Sequence, residues 1–254
     1  MTPPPASPAD QLRALRRAGR FDEARKWIAA RLRERPDPQL LHLGWQHEPF
    51  WWQPLEGPRV SLHRRGPDDL SLVRACWADA AFMARFNRMA APLPADDDAL
   101  RALLAREHAT IVGEAQALHW TIRTQGRGVG FVSIANITLG HRRAEYLIGI
   151  RDPGCSPWVG PEASHLALGF LAERLKLERL TAYFYPENGA AIQVAQKLGF
   201  EIEGTMRGFL REPDGKRGDL VVAGLLLTPA YFERMARIRR RLLGETSPPG
   251  SRGV

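Results

Sequence analysis

The order of predicted elements indicates an α/β fold, with a mixed central sheet flanked by helices and a small helical region in front of it. The 254-residue chain is 44% hydrophobic and 25% charged, which is ordinary for a globular protein that can bury a sizeable core. From residue 59 to about 227, stretches with strand and helix periodicity follow one another. Before them, residues 10–35 carry apolar side chains at helical spacing.

The first 57 residues predict a disordered start, a helical appendage and a connector. Residues 1–9 are Pro-rich and expected to be disordered. Residues 10–35 are helical, with an interruption at Gly19, and Pro36 and Pro38 are expected to end the helix. The string from Ala18 to Ala24, followed by Leu32, resembles one tetratricopeptide repeat, which cannot bury its apolar face alone. It should therefore dock on the following domain, on a second copy of the chain or on a partner protein. Residues 40–58, rich in Trp and Pro, are expected to be irregular.

The second domain is predicted over residues 58–228, and a last helix with a flexible tail over residues 229–254. Its first strand lies at residues 59–63 and is followed by a helix that starts at residues 66–69 and carries apolar residues as far as Phe82. The further predicted elements are a helix at 97–107, strands at 117–124, 129–137 and 144–150, a helix at 161–175, a strand at 180–185, a helix at 190–198, and a hairpin from 200 to 227 that turns at Pro213–Lys216.

Bulk properties exclude several classes of protein. The net charge is +8, but the basic residues are dispersed and no nucleic-acid reading module is present, so solvated helix faces explain them better than nucleic-acid binding. No apolar run is long enough for a membrane span, and the N-terminus has no secretory signal pattern. Cys76 and Cys155 are too few for a disulfide framework or a zinc site. A cytoplasmic protein is expected.

Several short strings, in order, carry a family resemblance. The strongest are Asn188-Gly189-Ala190-Ala191-Ile192 and the run from Lys197 to Arg207. Others are Pro58-Arg59, Gly130-Phe131-Val132, Arg143-Ala144-Glu145 and Glu162-Ala163. Together they resemble the GNAT N-acetyltransferases over about two-thirds of the chain, and in particular the branch named for acetylation of ribosomal-protein N-termini.

This resemblance implies an acyl-CoA-dependent N-acyltransferase that uses acetyl-CoA or another acyl-CoA. Two parallel strands, 146–150 and 180–185, should splay apart so that a pantetheine arm pairs with exposed backbone. The next helix N-terminus should hold the pyrophosphate. Transfer to an amine is direct, without a covalent enzyme intermediate. The implied cofactor contacts are Ile148, Gly149, Ile150, Trp158, Val159, Gly160, Glu162 and Asn188.

The phosphate loop departs from the family pattern. Cys155 and Trp158 replace the family's Gln or Arg and its first Gly, and only Gly160 is retained. An indole at Trp158 crowds the close backbone approach that Gly allows, and Pro161 lacks an N–H. Ala195 stands where many members have a Tyr that protonates the leaving thiolate. The alternative is therefore a degenerate GNAT-fold module that binds a partner through its N-terminal helices.

Glu145 and Asn188 are the catalytic candidates. Glu145 can act as general base, or it can be a surface carboxylate paired with Arg142 or Arg143. Asn188 supports the strand–helix turn and contacts the cofactor, or it is only a structural cap.

Other reactive side chains have simpler explanations. Cys155 is expected to be a bystander thiol and His119 a packed histidine. Tyr183 or Tyr185 can reach the thioester sulfur, with core packing as the alternative. The acceptor is an amine on a protein N-terminus, an aminoglycoside, a polyamine or an amino sugar, and the length of the acyl chain stays open.

Overall fold

The computed structural model describes residues 7–152, 154–212 and 215–243. The predicted disorder of residues 1–6, the centre of the predicted turn at Pro213-Asp214 and the predicted tail from residue 244 lie outside the described residues. The chain divides into two compact units. The first contains the chain up to Ile137 together with Tyr146–Ala167, and the second contains Thr138–Glu145 and the chain from Leu168 onward. Within the described residues, no helix has the length and apolarity needed to cross a membrane.

Three short helices open the first unit: α1 (Pro8–Arg17), α2 (Phe21–Glu34) and α3 (Pro38–Gln46). Apolar residues on their facing sides form a small core of Leu12, Ala24 and Ile28. The expectation that residues 40–58 are irregular is wrong for residues 40–46, which are helical. Asp37 caps this helix, since its carboxylate accepts from the Gln39 N–H at 2.8 Å, and Pro38 occupies the first helical turn. Pro38 therefore begins a helix instead of ending one.

These helices contact the rest of the first unit around residues 108–114. The Arg16 side chain is 5% exposed and pairs with Glu114 at 3.0 Å. The Trp52 indole N–H donates to the His108 carbonyl at 2.7 Å, and the Phe21 ring lies 4.6 Å from the Trp52 ring. Ion-pair, hydrogen-bond and ring contacts thus link the appendage to the residues that follow it.

The sheet of the first unit is antiparallel. It contains β1 (Leu55–Glu56), β2 (Ser61–Arg64), β3 (Ala117–Thr124) and β4 (Arg127–Thr138) in that order. The final part of β5 (Arg143–Ile150) lies beside β4, because the Arg151 N–H donates to the Val129 carbonyl at 2.8 Å. Fully buried side chains on these strands include Trp120, Phe131, Leu118, Ile122 and Ile134. They form the buried core of this sheet.

The helices of the first unit are α4 (Leu70–Ala78), α5 (Ala80–Phe86), α6 (Asp97–Ala109) and the start of α7 (Val159–Arg174). The single helix predicted from residues 66–69 to Phe82 is wrong, because the chain forms a 3-10 turn at Pro67–Asp69 and then two helices. Asp79 causes the break: its carboxylate accepts from the Phe82 N–H at 2.9 Å and caps α5.

The second unit contains the parallel strand pair that makes the sheet mixed. The start of β5 pairs in parallel with β6 (Arg179–Phe184), with Arg143 opposite Arg179 and Glu145 opposite Thr181. β6 pairs antiparallel with β8 (Arg217–Leu226), which pairs with β7 (Glu201–Arg211). Its helices are the end of α7, α8 (Gly189–Lys197) and α9 (Pro229–Leu243). The predicted mixed α/β class is confirmed.

Candidate functional site

At the end of β5, two residues direct their backbone N–H and C=O groups away from β4. The Gly149 carbonyl lies against Gly130, where an added Cβ would overlap it, and the Arg151 N–H also points to β4. Backbone groups of successive strand residues point to opposite edges. Of the three residues predicted to meet a pantetheine arm, Ile148 and Ile150 therefore direct their backbone groups away from β4, and Gly149 does not.

One face of β5 at this point is covered by aromatic side chains. An added Cβ on Gly149 would lie 2.9 Å from Cζ of Phe82 and would also overlap the Phe86 ring. The two rings stack with centroids 5.1 Å apart. Gly149 is thus required for the packing of α5 on β5.

The first turn of α7 offers few donors to an anion. The Val159 N–H already donates to the Ser156 carbonyl at 3.0 Å, and Pro161 has no N–H. Gly160 lies close to Ile150, since an added Cβ would stand 3.4 Å from the Ile150 Cδ1. Among the described residues of this first turn, the Gly160 N–H donates no hydrogen bond within the protein and is therefore left for a ligand.

Glu162, predicted as a cofactor contact, holds the start of β2. Its side chain is 12% exposed. Its carboxylate accepts from the Arg59 N–H at 2.8 Å, from the Val60 N–H at 3.2 Å and from the Arg59 Nε at 3.0 Å. The Arg59 guanidinium also lies 5.9 Å from the centre of the Trp158 ring, which is 43% exposed. Glu162 therefore fixes the loop wall through Arg59.

A cleft of about 520 Å³ opens beside this contact. Three predicted residues line it: Trp158, Val159 and Glu162. The strand edge of Ile148 and Ile150, together with Gly149 and Gly160, is not part of its lining. Sequence reasoning missed its other wall, formed by side chains of β1, the start of β2 and the end of β3, among them Glu56, Ser61 and Arg123.

The cleft wall that sequence reasoning missed consists of one side chain from each of three neighbouring strands. Glu56 pairs with Ser61, and Ser61 pairs with Arg123, so the three side chains share one face about 5 Å apart. Arg123 Nη2 donates to the buried Asp69 carboxylate at 2.9 Å. This alignment depends on strand register, which the local sequence pattern does not reveal.

Two histidines stand near this face and are neutral at physiological pH. Burial, followed by the charge of Arg123, lowers the pKa of His63, whose Nε2 lies 2.9 Å from the Ser61 hydroxyl. Burial, followed by the charges of Arg65 and Arg64, holds the pKa of His119 well below its usual value. His119 is hydrogen-bonded to Ser133 at 2.8 Å, in agreement with a packed histidine.

In the second unit, Glu145 and Tyr183 lie near each other. Glu145 pairs with Thr181, and Tyr183 lies two residues further along the same strand. Burial, and then the charge of Glu145, raises the pKa of Tyr183, so this phenol stays protonated at neutral pH. Arg142 pairs with Glu178 instead. Within the described part of the chain, Glu145 has no ion-pair partner.

The structure also places the two remaining candidates, Asn188 and Cys155. Asn188 precedes α8, where its N–H donates to the Tyr185 carbonyl at 2.8 Å and its side chain makes no capping bond to the helix. Burial, followed by Asp152, raises the pKa of Cys155, which keeps the thiol protonated and unsuited to nucleophilic attack. No group of three metal-ligating side chains occurs among the residues the structure covers.

Comparison with known proteins extends these observations. A family model described as an acetyltransferase (GNAT) domain matches residues 59–201, more than half of the chain. Spermidine N(1)-acetyltransferase of Escherichia coli (strain K12) is 31% identical over 87 residues, which are 34% of this chain and 47% of that protein. The chain thus matches about half the length of this curated relative.

Solved structures share the fold. RimJ of Mycobacterium smegmatis, in complex with CoA-disulfide, has a TM-score of 0.60 at 22% identity, covering 74% of this chain and 94% of that chain. A mutant of SpeG, a spermidine N-acetyltransferase from Vibrio cholerae, has a TM-score of 0.58 at 19% identity, covering 70% of this chain and 99% of that chain. At these identities the similarity establishes the fold alone.

Proposed function

We propose that this chain, which belongs to the GNAT acetyltransferase family, is an N-acyltransferase that moves an acetyl or other acyl group from coenzyme A to a primary amine. GNAT acetyltransferases use acetyl-CoA. The observation that carries the proposal is the family match itself, because residues 59–201 include the end of β5, the start of α7, Glu145 and Asn188.

The residues at the end of β5 fit a pantetheine arm. Ile148 and Ile150 direct backbone groups away from β4, so an extended amide-bearing chain can pair with them as an added strand does. The Gly160 N–H and the positive end of the α7 dipole favour a phosphate nearby. Trp158 and Val159 border this turn, and Glu162 secures it through Arg59.

Glu145 and Tyr183 fit the two proton transfers that amide formation needs. The amine nitrogen attacks the thioester carbonyl, the C–S bond breaks and the amide C–N bond forms. Glu145 accepts the proton that the amine loses, directly or through one water. Tyr183, whose phenol carries its proton at neutral pH, donates that proton to the leaving thiolate. Asn188 supports the turn before α8 and contacts the acyl-CoA.

The acceptor is proposed only as an amine on a small molecule or a protein N-terminus. The two names among the relatives point in different directions: spermidine is a polyamine, whereas the similarity to RimJ fits the resemblance to the ribosomal-protein branch. A tetratricopeptide-like role of α1 and α2, in self-association or in binding a protein acceptor, belongs to the same proposal.

One observation favours a second candidate, a GNAT-fold binding module without catalysis. The first turn of α7 has lost the Val159 N–H to Ser156, and Pro161 has none to offer. If this loss abolishes acyl-CoA binding, the domain serves only to dock a partner.

A thiol-release assay tests the proposed transfer. The full chain is mixed with acetyl-CoA and, in separate reactions, with spermidine, a peptide that has a free N-terminus, and an N-acetylated copy of that peptide. We expect free CoA thiol to appear with at least one of the two amines and not with the blocked peptide. Release that is independent of any amine would indicate hydrolysis and contradict the proposal.

A further inference from the structure

In the second unit, one arginine lies within reach of two carboxylates. Arg179 on β6 is opposite Arg143 on β5, and Glu145 is two residues further along β5. Strand geometry places the Cα atoms of Arg179 and Glu145 about 8 Å apart on one face of the sheet, a diagonal that a long side chain spans. The second carboxylate belongs to Glu203 on β7, and β8 lies between β6 and β7. Glu145 is therefore on the neighbouring strand, and Glu203 is two strands away.

Arg179 pairs with the more distant of the two carboxylates. Its Nη2 donates to both carboxylate oxygens of Glu203, at 2.8 and 2.6 Å. The ion pair crosses β8 at Gly224, which has no side chain to block it. An added Cβ on Gly224 would overlap Oε1 of Glu203 and stand 3.0 Å from Nη2 of Arg179. Glycine at this position thus permits the ion pair that leaves Glu145 unpaired.

The charge of Arg179 also acts on the proposed proton donor. Charged side chains from three strands share this face with Glu145: Arg143, Arg179, Glu201 and Glu203. β8 adds no charge beside Arg179, where it carries Gly224 and Leu226. Burial, and then the charge of Glu145, raises the pKa of Tyr183, whereas the charges of Arg143 and Arg179 lower it. A movement of Arg179 towards Glu145 would therefore change both proposed proton-transfer groups.

We propose that Glu203 is a positioning residue, which holds Arg179 across Gly224 and so keeps Glu145 free to accept the proton of the amine. The inference rests on the proposed function, in which Glu145 is the general base. Without the Glu203 carboxylate, Arg179 turns to Glu145, its remaining diagonal neighbour. The adjacent positive charge then stabilises the Glu145 carboxylate and makes it a weaker base.

A double-variant cycle tests this role in the thiol-release assay. Glu203→Gln should lower turnover roughly tenfold and shift the acid limb of the pH–rate profile to lower pH, because Arg179 then pairs with Glu145. Arg179→Gln breaks the same ion pair but leaves no cation to reach Glu145, so it should cost far less. The double variant should be as active as Arg179→Gln. Equal losses in all three variants would mean that the ion pair is only structural and would overturn the proposal. Glu201→Gln, which removes another carboxylate of β7, is the control.

NMR titration of ring-labelled tyrosine tests the movement of Arg179 without an amine or acyl-CoA. The chain has four tyrosines, and Tyr183→Phe identifies the signal of Tyr183. Gly224→Ala displaces the Glu203 carboxylate and changes no charge, so a shift in the titration reports on geometry alone. We expect Gly224→Ala to lower the pH at which Tyr183 titrates, because Arg179 then neutralises Glu145.

The positioning role and the proposed function fail separately. An unchanged Tyr183 titration in both Gly224→Ala and Glu203→Gln would overturn the positioning role, whether or not the chain transfers acyl groups. A shifted titration without thiol release towards any amine would support the hold of Glu203 on Arg179 and would contradict the proposed function alone.

Discussion

The two connections from a parallel strand to the following helix differ sharply in this molecule. Between β5 and α7 the chain carries the exposed Trp158, and the first turn of the helix has one engaged N–H and one proline. Between β6 and α8 the chain turns at Asn188 and enters the helix through Gly189 and two alanines. An added Cβ on Gly189 would meet nothing within 4 Å.

This difference shows that the fold tolerates large changes at one connection while the other keeps its small residues. A helix can start at either place, because its dihedral angles and apolar face do not depend on free N–H groups. Anion binding does depend on them. The α7 connection has therefore kept its structural role, while its capacity for phosphate is reduced, and α8 keeps an open first turn. The following predictions test this contrast.

The largest effect, on turnover, is expected at Glu145 of β5, which pairs with Thr181 of β6. Glu145→Gln removes the proposed base and should lower turnover roughly a hundredfold, with little change in acyl-CoA affinity. Steady-state kinetics with an accepted amine measure both. Glu201→Gln on β7 is the control. A normal rate in the Glu145 variant would assign this carboxylate to the surface.

A smaller effect, on stability, is expected at Gly149 in β5. Gly149→Ala places a methyl group 2.9 Å from Phe82, which is buried and stacked on Phe86. Because the stacked rings have little room to move, overpacking should destabilise the fold by about 1–3 kcal/mol. Urea denaturation measures the change in the free energy of unfolding. An unchanged midpoint would mean that α5 is free to shift.

Trp158→Gly should increase the affinity for acyl-CoA by restoring phosphate binding at the connection between β5 and α7. Removing the indole lets a phosphate approach the Gly160 N–H. One added charge-assisted hydrogen bond is worth about 1.5 kcal/mol, which corresponds to roughly tenfold tighter acyl-CoA binding. Trp158→Phe keeps the bulk and should leave the affinity as it was. If the glycine variant binds acyl-CoA more weakly than the unchanged chain, Trp158 is a cofactor contact and not an obstacle.

The smallest effect is expected at the α8 connection. Gly189 begins α8 in open space and has no left-handed backbone angle. Gly189→Ala should therefore stabilise the protein by about 0.4–1 kcal/mol, because alanine loses less backbone entropy on folding. Thermal unfolding monitors this, and it is the matched counterpart of Gly149→Ala. A loss of stability would show that the turn needs glycine.

Most of the fold could be predicted from the sequence, because it depends on local patterns. The β3 strand was predicted with the bounds it has, residues 117–124, since Leu118, Trp120 and Ile122 alternate with polar residues along it. The break at Asp79 and the helix after Asp37 were missed, because a capping side chain in an apolar-periodic stretch looks the same as any other polar residue. Both errors concern boundaries, where caps decide the outcome.

The candidate site was harder to predict. Trp158, Val159 and Glu162 were named from the resemblance, and all three line the cleft. Ser61 and Arg123 are 62 positions apart in the sequence and meet only through strand register, which a single sequence does not encode in any short string. The role of Glu162 in fixing Arg59 also became evident only from its three hydrogen bonds.

Calorimetric titration of the full chain with acetyl-CoA tests the central claim most directly. The account predicts saturable heat for one molecule per chain and a rise in melting temperature. At a hundred times the dissociation constant, bound ligand adds about 2.7 kcal/mol to the free energy of unfolding. The absence of both heat and thermal shift at millimolar acetyl-CoA and longer acyl-CoAs would contradict the claim and leave the non-catalytic binding module as the function of this fold.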